Sequence, residues 1–168
     1  MNYQSVEDAK AGWKTTIAGD GGACPCCERF GKVYSRLINK TMALALKWLF
    51  EENIRLGVRE WIDVPNTAPP HVLRGYQMTT LRWWGLVERK PVDPTELKGK
   101  KNSGLWRITL KGADFVEGKV KVQAKAHHYN GDVTELVGPE VDFESCLTKK
   151  FSIRDTMQEQ AGGSSNLF

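Results

Sequence analysis

The chain has 168 residues, of which 40% are hydrophobic and 26% charged, with a net charge of +4. That is enough length for one compact domain with an appended subdomain, and the balance excludes a fibrous or low-complexity polymer. No apolar run approaches the roughly 20 residues a membrane helix needs, and the chain does not open on a basic start followed by a hydrophobic signal core, so a cytoplasmic protein with no membrane partner is expected. The positive excess permits nucleic acid as a partner, but only clustering of the charges turns it into an argument.

Residues 1–23 carry Gly19, Gly21 and Gly22 with little periodicity and read as an irregular arm, with Trp13 and Ile17 free to pack. Three of the four cysteines then crowd into Cys24-Pro25-Cys26-Cys27. With only Cys146 remote from them, they make a poor disulfide framework and a better match to reduced thiols or a metal. Cys24 and Cys27 have the interval that sets two thiolates on one zinc ion, and a closed tetrahedral site needs two more ligands. Candidates are His71, His127, His128, Cys146 and Cys26, but neighbouring His127 and His128 on a strand point to opposite faces. Three readings stay open: a structural zinc completed within the chain, a zinc shared by two subunits that each donate a pair, and reduced cysteines packing a turn.

Phe30, Val33, Tyr34 and Leu37 recur at helical spacing with Arg29, Lys32, Arg36 and Lys40 beside them, which predicts a basic amphipathic helix whose charged stripe is either solvated or set against phosphate. Asn39 is placed to cap the next helix, in which Met42, Ala45, Leu46, Leu49 and Phe50 fall on one side, Leu44 and Trp48 widen the buried arc, and Gly57 closes the run. Residues 61–65 read as a short strand ending at proline. Thr67 then caps a helix whose first turn admits Pro69 and Pro70, because those positions donate no helical hydrogen bond.

Gly75 breaks that helix, and Tyr76 or Gln77 starts another that ends at Gly85, a residue able to take the left-handed conformation that stops a helix. Leu86-Val87 begins a strand. Residues 91–104 hold Pro91, Pro94, Gly99 and Gly104 with Lys98, Lys100 and Lys101, the composition of an exposed basic loop. Leu105, Ile108 and Leu110 continue as a strand, and Thr109 or Lys111 opens a helix through residues 113–117 ended by Gly118. Val120, Val122, Ala124 and Ala126 alternate with Lys119, Lys121, Gln123 and Lys125, Asn130-Gly131 matches a tight hairpin turn, and Val133, Leu136 and Val137 carry the return. Residues 143–157 pack across that hairpin, and the Gly/Ser-rich end is expected to be disordered.

From Asn39 to Gly118 the order is helix, strand, helix, helix, strand, basic loop, strand, and this segment resembles winged helix-turn-helix DNA-binding proteins. Leu81 to Glu88 supply the Leu-x-x-x-Gly-Leu-Val/Ile-Glu sequence in which the family's recognition helix ends. Ile108-Thr109-Leu110-Lys111-Gly112 matches its Leu-Thr-x-x-Gly element with isoleucine for leucine. The whole chain, with its Cys-Pro-x-Cys motif, basic aromatic segment, Tyr129-Asn130-Gly131 hairpin and Lys149-Lys150-Phe151-Ser152-Ile153-Arg154-Asp155 ending, is also similar to small uncharacterised phage and prophage proteins. These resemblances imply a viral origin, a role in transcription regulation or replication, and no catalytic residues.

The resulting expectation is an α+β protein: an arm, cysteine cluster and basic helix at 1–38, a winged-helix core at 39–118, a hairpin with a short helix at 119–160 and a disordered tail at 161–168. The recognition helix of such a core enters the major groove and the wing tracks the backbone. Gln77, Thr79, Thr80 and Arg82 then carry the donors and acceptors for base edges. Arg29, Lys32, Arg36, Lys40, Arg89, Lys90, Lys98, Lys100 and Lys101 are the expected backbone contacts. Double-stranded DNA is the leading partner, and the hairpin offers a homodimer contact. The alternative is a protein-binding adaptor or phage-encoded inhibitor of a host system that uses the same fold. A cysteine or metal-dependent enzyme ranks below both, because no base neighbours the cysteines and the chain has neither a phosphate-cradling glycine loop nor a dense carboxylate cluster.

Overall fold

In a computed structural model, residues 5–97 and 102–148 are described. Lys98, Lys100 and Lys101, the last part of the predicted 143–157 segment and the predicted disordered tail lie outside them. The chain is α+β with antiparallel strand pairs, and it divides into two compact units: Met1–Arg36 with His127–Glu135 and Lys150–Phe168, and Leu37–Ala126 with Leu136–Lys149.

The first unit corrects two expectations. Residues 6–18 are not an irregular arm but helix α1 (Val6–Ala18), whose cap Ser5 accepts the Asp8 N–H, with Glu7 and Asp8 in the positive first turn. Periodicity is silent there because the helix buries only Ile17, so the cap carries the signal. The predicted basic helix is absent. Strands β1 (Gly22–Ala23) and β2 (Phe30–Gly31) pair antiparallel around the cysteine turn, and β3 (Tyr34–Leu37) comes after them.

The cause is local and steric. The Cys24 N–H donates to the Arg29 carbonyl (2.9 Å) and the Glu28 N–H to the Cys24 carbonyl (2.9 Å), which reverses the chain before any helix starts. A Cβ on Gly31 would lie 2.6 Å from the Trp13 ring, so this position serves a close approach rather than a helix interior. Arg29, Lys32, Arg36 and Lys40 therefore form no stripe: Arg29 follows the turn, Lys32 lies between β2 and β3, Arg36 is in β3, and Lys40 opens the following helix.

The second unit is built on α2 (Lys40–Leu56), capped by the Asn39 side chain, which accepts the Met42 N–H at 3.0 Å, and closed at Gly57. Met42, Ala43, Ala45, Leu46 and Leu49 are buried, and the helix packs against every later helix of the unit from residue 70 onward and against the strand at residues 105–108. Leu44, expected to widen the buried arc, is 37% exposed. The helix also buries one polar side chain, Asn53. Its Nδ2 donates to the Gly57 and Glu60 carbonyls (3.1 and 2.9 Å) and its Oδ1 accepts the Ile108 N–H (3.0 Å), so all of its strong bonding groups are used.

Strand β4 (Ile62–Asp63) is shorter than the predicted 61–65, because Asp63 rather than Thr67 caps the next helix: its carboxylate accepts the Asn66 N–H and begins α3 (Val64–Thr67). Thr67 is the last residue of α3, and its hydroxyl donates to the Asp63 carbonyl at 2.6 Å. The chain continues through α4 (Pro70–Leu73), a tight turn at Gly75, α5 (Gln77–Thr80) and a 3₁₀ turn, Leu81–Trp84. β5 (Val87–Arg89) and β6 (Leu105–Ile108) then pair antiparallel, with Val87 opposite Ile108 and Arg89 opposite Trp106, while Ile62 of β4 lies opposite Trp106 on the other side. The sheet order β4-β6-β5 places the last strand in the centre.

α6 (Leu110–Val116) is capped by Thr109 and followed by Gly118. β7 (Val122–Tyr129) and β8 (Asp132–Val141) make the expected hairpin, with Asn130 and Gly131 both at positive φ, as the tight turn requires, and with Val122, Ala124 and Ala126 buried. α7 (Phe143–Thr148) ends the described chain, its Asp142 carboxylate accepting the Ser145 N–H at 2.8 Å. No helix among the described residues is long and apolar enough to cross a membrane.

Candidate nucleic-acid interface

The second unit fixes the end of the Leu81–Trp84 turn that follows α5 from three directions. Gly85 takes the left-handed conformation (φ 70°, ψ 21°), so its N–H returns to the Arg82 carbonyl and the Leu86 N–H to the Leu81 carbonyl, and the helix stops there. Trp84 is buried, and its indole N–H donates to the Gln123 carbonyl at 2.7 Å. Thr109 Oγ1 donates to the Gly85 carbonyl (2.6 Å) and Lys111 Nζ to the Trp84 carbonyl (2.9 Å). A Cβ on Gly112 would lie 2.0 Å from the Leu86 carbonyl oxygen, so only glycine admits this contact. Thr109, Lys111 and Gly112 thus tie the start of α6 to the turn that ends at Gly85, which gives the Thr-x-x-Gly element a physical task.

This anchoring leaves Arg82 exposed between the buried Leu81 and Trp84. The other three predicted base-contacting residues are half-buried. Gln77 turns toward the cap of α2, where Asn39 Nδ2 donates to its Oε1 at 3.5 Å, and the Thr80 hydroxyl donates back to the Gln77 carbonyl at 2.8 Å. Arg82 is the member of the set whose side chain reaches outward.

β5 delivers Arg89 and Lys90 to the same place. The Arg89 guanidinium lies 5.6 Å from the centroid of the Trp106 ring across the strand pair, a cation–π distance. The Lys90 N–H continues the ladder to the Leu105 carbonyl (2.9 Å), while the Ser103 hydroxyl donates to the Lys90 carbonyl (3.1 Å) and closes the root of the loop. Arg82, Arg89, Lys90, Pro91, Val92, Asn102 and Ser103 line one open pocket of about 440 Å³. Three cationic side chains and two short polar ones in a shallow pocket suit an anionic oxygen ligand such as phosphate.

Asn102 and Ser103 were not expected here; the available signal was their position beside Gly104 at the return of the loop. On the outgoing side Asp93 accepts the Thr95 hydroxyl and N–H (2.6 and 2.8 Å), which hold its carboxyl below the usual range. Arg107 is a different kind of cation: it pairs with Glu88 (2.5 Å) and lies 4.2 Å over the Trp61 ring, so it is spent on the sheet.

The cysteine turn of the first unit is a separate cluster. The Cys24 sulfur accepts the backbone N–H groups of Cys26 and Cys27, which hold its thiol below the ordinary value, and both neighbouring thiols are within hydrogen-bond reach of it. Cys26 and Cys27 are exposed, whereas Cys146 is buried in the core of the second unit. Among the described residues no group of three or more His, Cys, Asp or Glu side chains is placed to hold a metal ion. His128 stacks on Tyr34 with ring centroids 5.9 Å apart, and partial burial, with the Arg36 charge second, holds its imidazole below the ordinary value. His127 lies 3.9 Å from Glu135.

Comparison of the chain with family models, curated proteins and solved structures finds no match.

Proposed function

We propose that the second unit is a winged helix that binds double-stranded DNA, with α5 and the following 3₁₀ turn as recognition element and the 91–104 loop as wing. The observation that carries this is the pocket in which Arg82, from the end of the recognition element, meets Arg89 and Lys90 at the wing root. The element order from α2 to β6 and the β4-β6-β5 sheet support the fold reading, since a winged helix presents its recognition helix beside a strand pair whose connecting loop reaches the backbone.

In this reading Arg82 projects into the groove and donates to a guanine edge or a flanking phosphate, and Arg89 and Lys90 hold the backbone. Lys98, Lys100 and Lys101 extend the contact along the wing. Gln77, Thr79 and Thr80 have a secondary part, because their side chains are half-buried whereas Arg82 is exposed. No covalent chemistry is required, and the role is that of a regulator of transcription or an organiser of replication.

Duplex affinity measured across salt for the parent and for an Arg82→Ala/Arg89→Ala/Lys90→Ala variant tests the proposal. The slope of log affinity on log salt should become shallower by about 2–3, close to one for each phosphate contact removed. Parent binding without salt dependence, or a variant with the parent's slope and affinity, refutes it.

A further inference from the structure

We propose that Cys24 and Cys27 form half of a tetrahedral zinc site, completed by the same two residues of a second copy of the chain. The turn is already shaped for the metal. β1 and β2 pair on either side of it, the Cys24 and Glu28 N–H groups close it, and Glu28 takes a left-handed φ of 59° directly after the second thiol. A zinc bound by four thiolates carries a net charge of −2, and the exposed Arg29, two residues beyond Cys27, offsets part of it.

The described residues of one chain do not finish the site. Zinc takes four ligands in a closed site, while Cys146 lies 3% exposed in the core of the other unit and the described residues hold no group of three or more metal ligands. Cys26 is next in sequence to Cys27 and lacks the two-residue interval from either thiol that sets a pair on one ion. The Cys27 thiol has that interval from Cys24 and, like Cys26, is exposed.

The unit also needs a cross-link. Among its described hydrophobic residues only Ile17 is buried, and pieces of chain too small to bury a core are commonly held by metal or disulfide. A metal shared between copies would supply that constraint and a two-fold pairing together. The inference stands apart from the DNA proposal, since it uses none of the residues of the basic pocket.

The test measures zinc content and molar mass of the full-length chain purified under reducing conditions, before and after a chelator. Cobalt(II) titration of the parent chain gives a readout that does not depend on any variant. The expected result is half a zinc per chain in a species of twice the chain mass, a return to single-chain mass with chelator, and a thiolate–cobalt charge-transfer band saturating at half an equivalent. Cys24→Ser and Cys27→Ser should each lose metal and the doubled mass, and Cys26→Ser should keep both. No zinc and no cobalt band, one zinc on a single-chain species, or equal loss in Cys26→Ser would each overturn the proposal.

Discussion

The two units hold their shape by different means. The second buries Met42, Leu46, Leu49, Leu81, Trp84, Leu86 and Phe115 around α2 and satisfies Asn53, the one buried polar side chain among its described residues, with three hydrogen bonds. The first has a capped helix, a two-residue strand pair and a cysteine turn, with Ile17 as its buried hydrophobic among the described residues. A surface displayed on the second is held by close packing and keeps its geometry when ligands come and go. Any site on the first depends on local hydrogen bonds or on whatever else crosses the turn.

The largest effect expected from breaking this contrast is at Gly112. Gly112→Val places side-chain atoms against a carbonyl oxygen only 2.0 Å from the ideal Cβ. It should cost more than about 3 kcal/mol and unfold the second unit in a thermal or denaturant melt. Asn53→Ala comes next. It removes the Asn53 partner of the Ile108 N–H and of the Glu60 carbonyl and leaves the Gly57 carbonyl with the Glu60 N–H alone, for a loss of about 2–4 kcal/mol by denaturant titration.

Arg82→Ala should leave the melting temperature within a degree or two of the parent and lower duplex affinity by about 1–3 kcal/mol, near 5- to 150-fold. Gln77→Ala should cost clearly less affinity, and an equal or larger loss would move base reading to the start of the helix. The smallest effect is the pH dependence of the first unit. His128 has a folded-state pKa below its unfolded value, so protonation favours unfolding. Stability is unaffected above the unfolded pKa of about 6.5 and falls as pH drops below it. His128→Gln should flatten the melting temperature between about pH 7 and 5 relative to the parent, and an unchanged profile would remove His128 as the cause.

The same contrast separates what the sequence reveals from what it hides. Asn39, Gly57, Gly85, Thr109 and Asn130-Gly131 were legible because each acts through its own backbone or a hydrogen bond within a turn. The α2 core face was legible from its period, apart from Leu44 at the margin of the arc. Residues 30–37 misled because apolar and basic residues three and four apart satisfy a helical template, while the turn closed by Cys24 and Glu28 and the tight approach at Gly31 fix extended backbone instead. α1 escaped because its cap, not its periodicity, specifies it.

Asn53 was invisible as a core residue for another reason: its three partners lie 4, 7 and 55 positions away, and one of them sits on a different element. At the basic pocket, Arg82, Arg89 and Lys90 could be read from their order along a helix and the following strand. Asn102 and Ser103 join only once the strand pairing brings the far side of the loop back to Lys90.

The central claim is that duplex DNA meets the second unit at the end of its recognition element and the wing root. Backbone amide shifts of the full-length protein titrated with a short duplex, at low and then raised salt, test it most directly. The account predicts perturbations concentrated at residues 77–92 and 102–103 that shrink as salt rises. Shifts confined to residues 22–36, or none at any salt at which the protein stays folded, would contradict it.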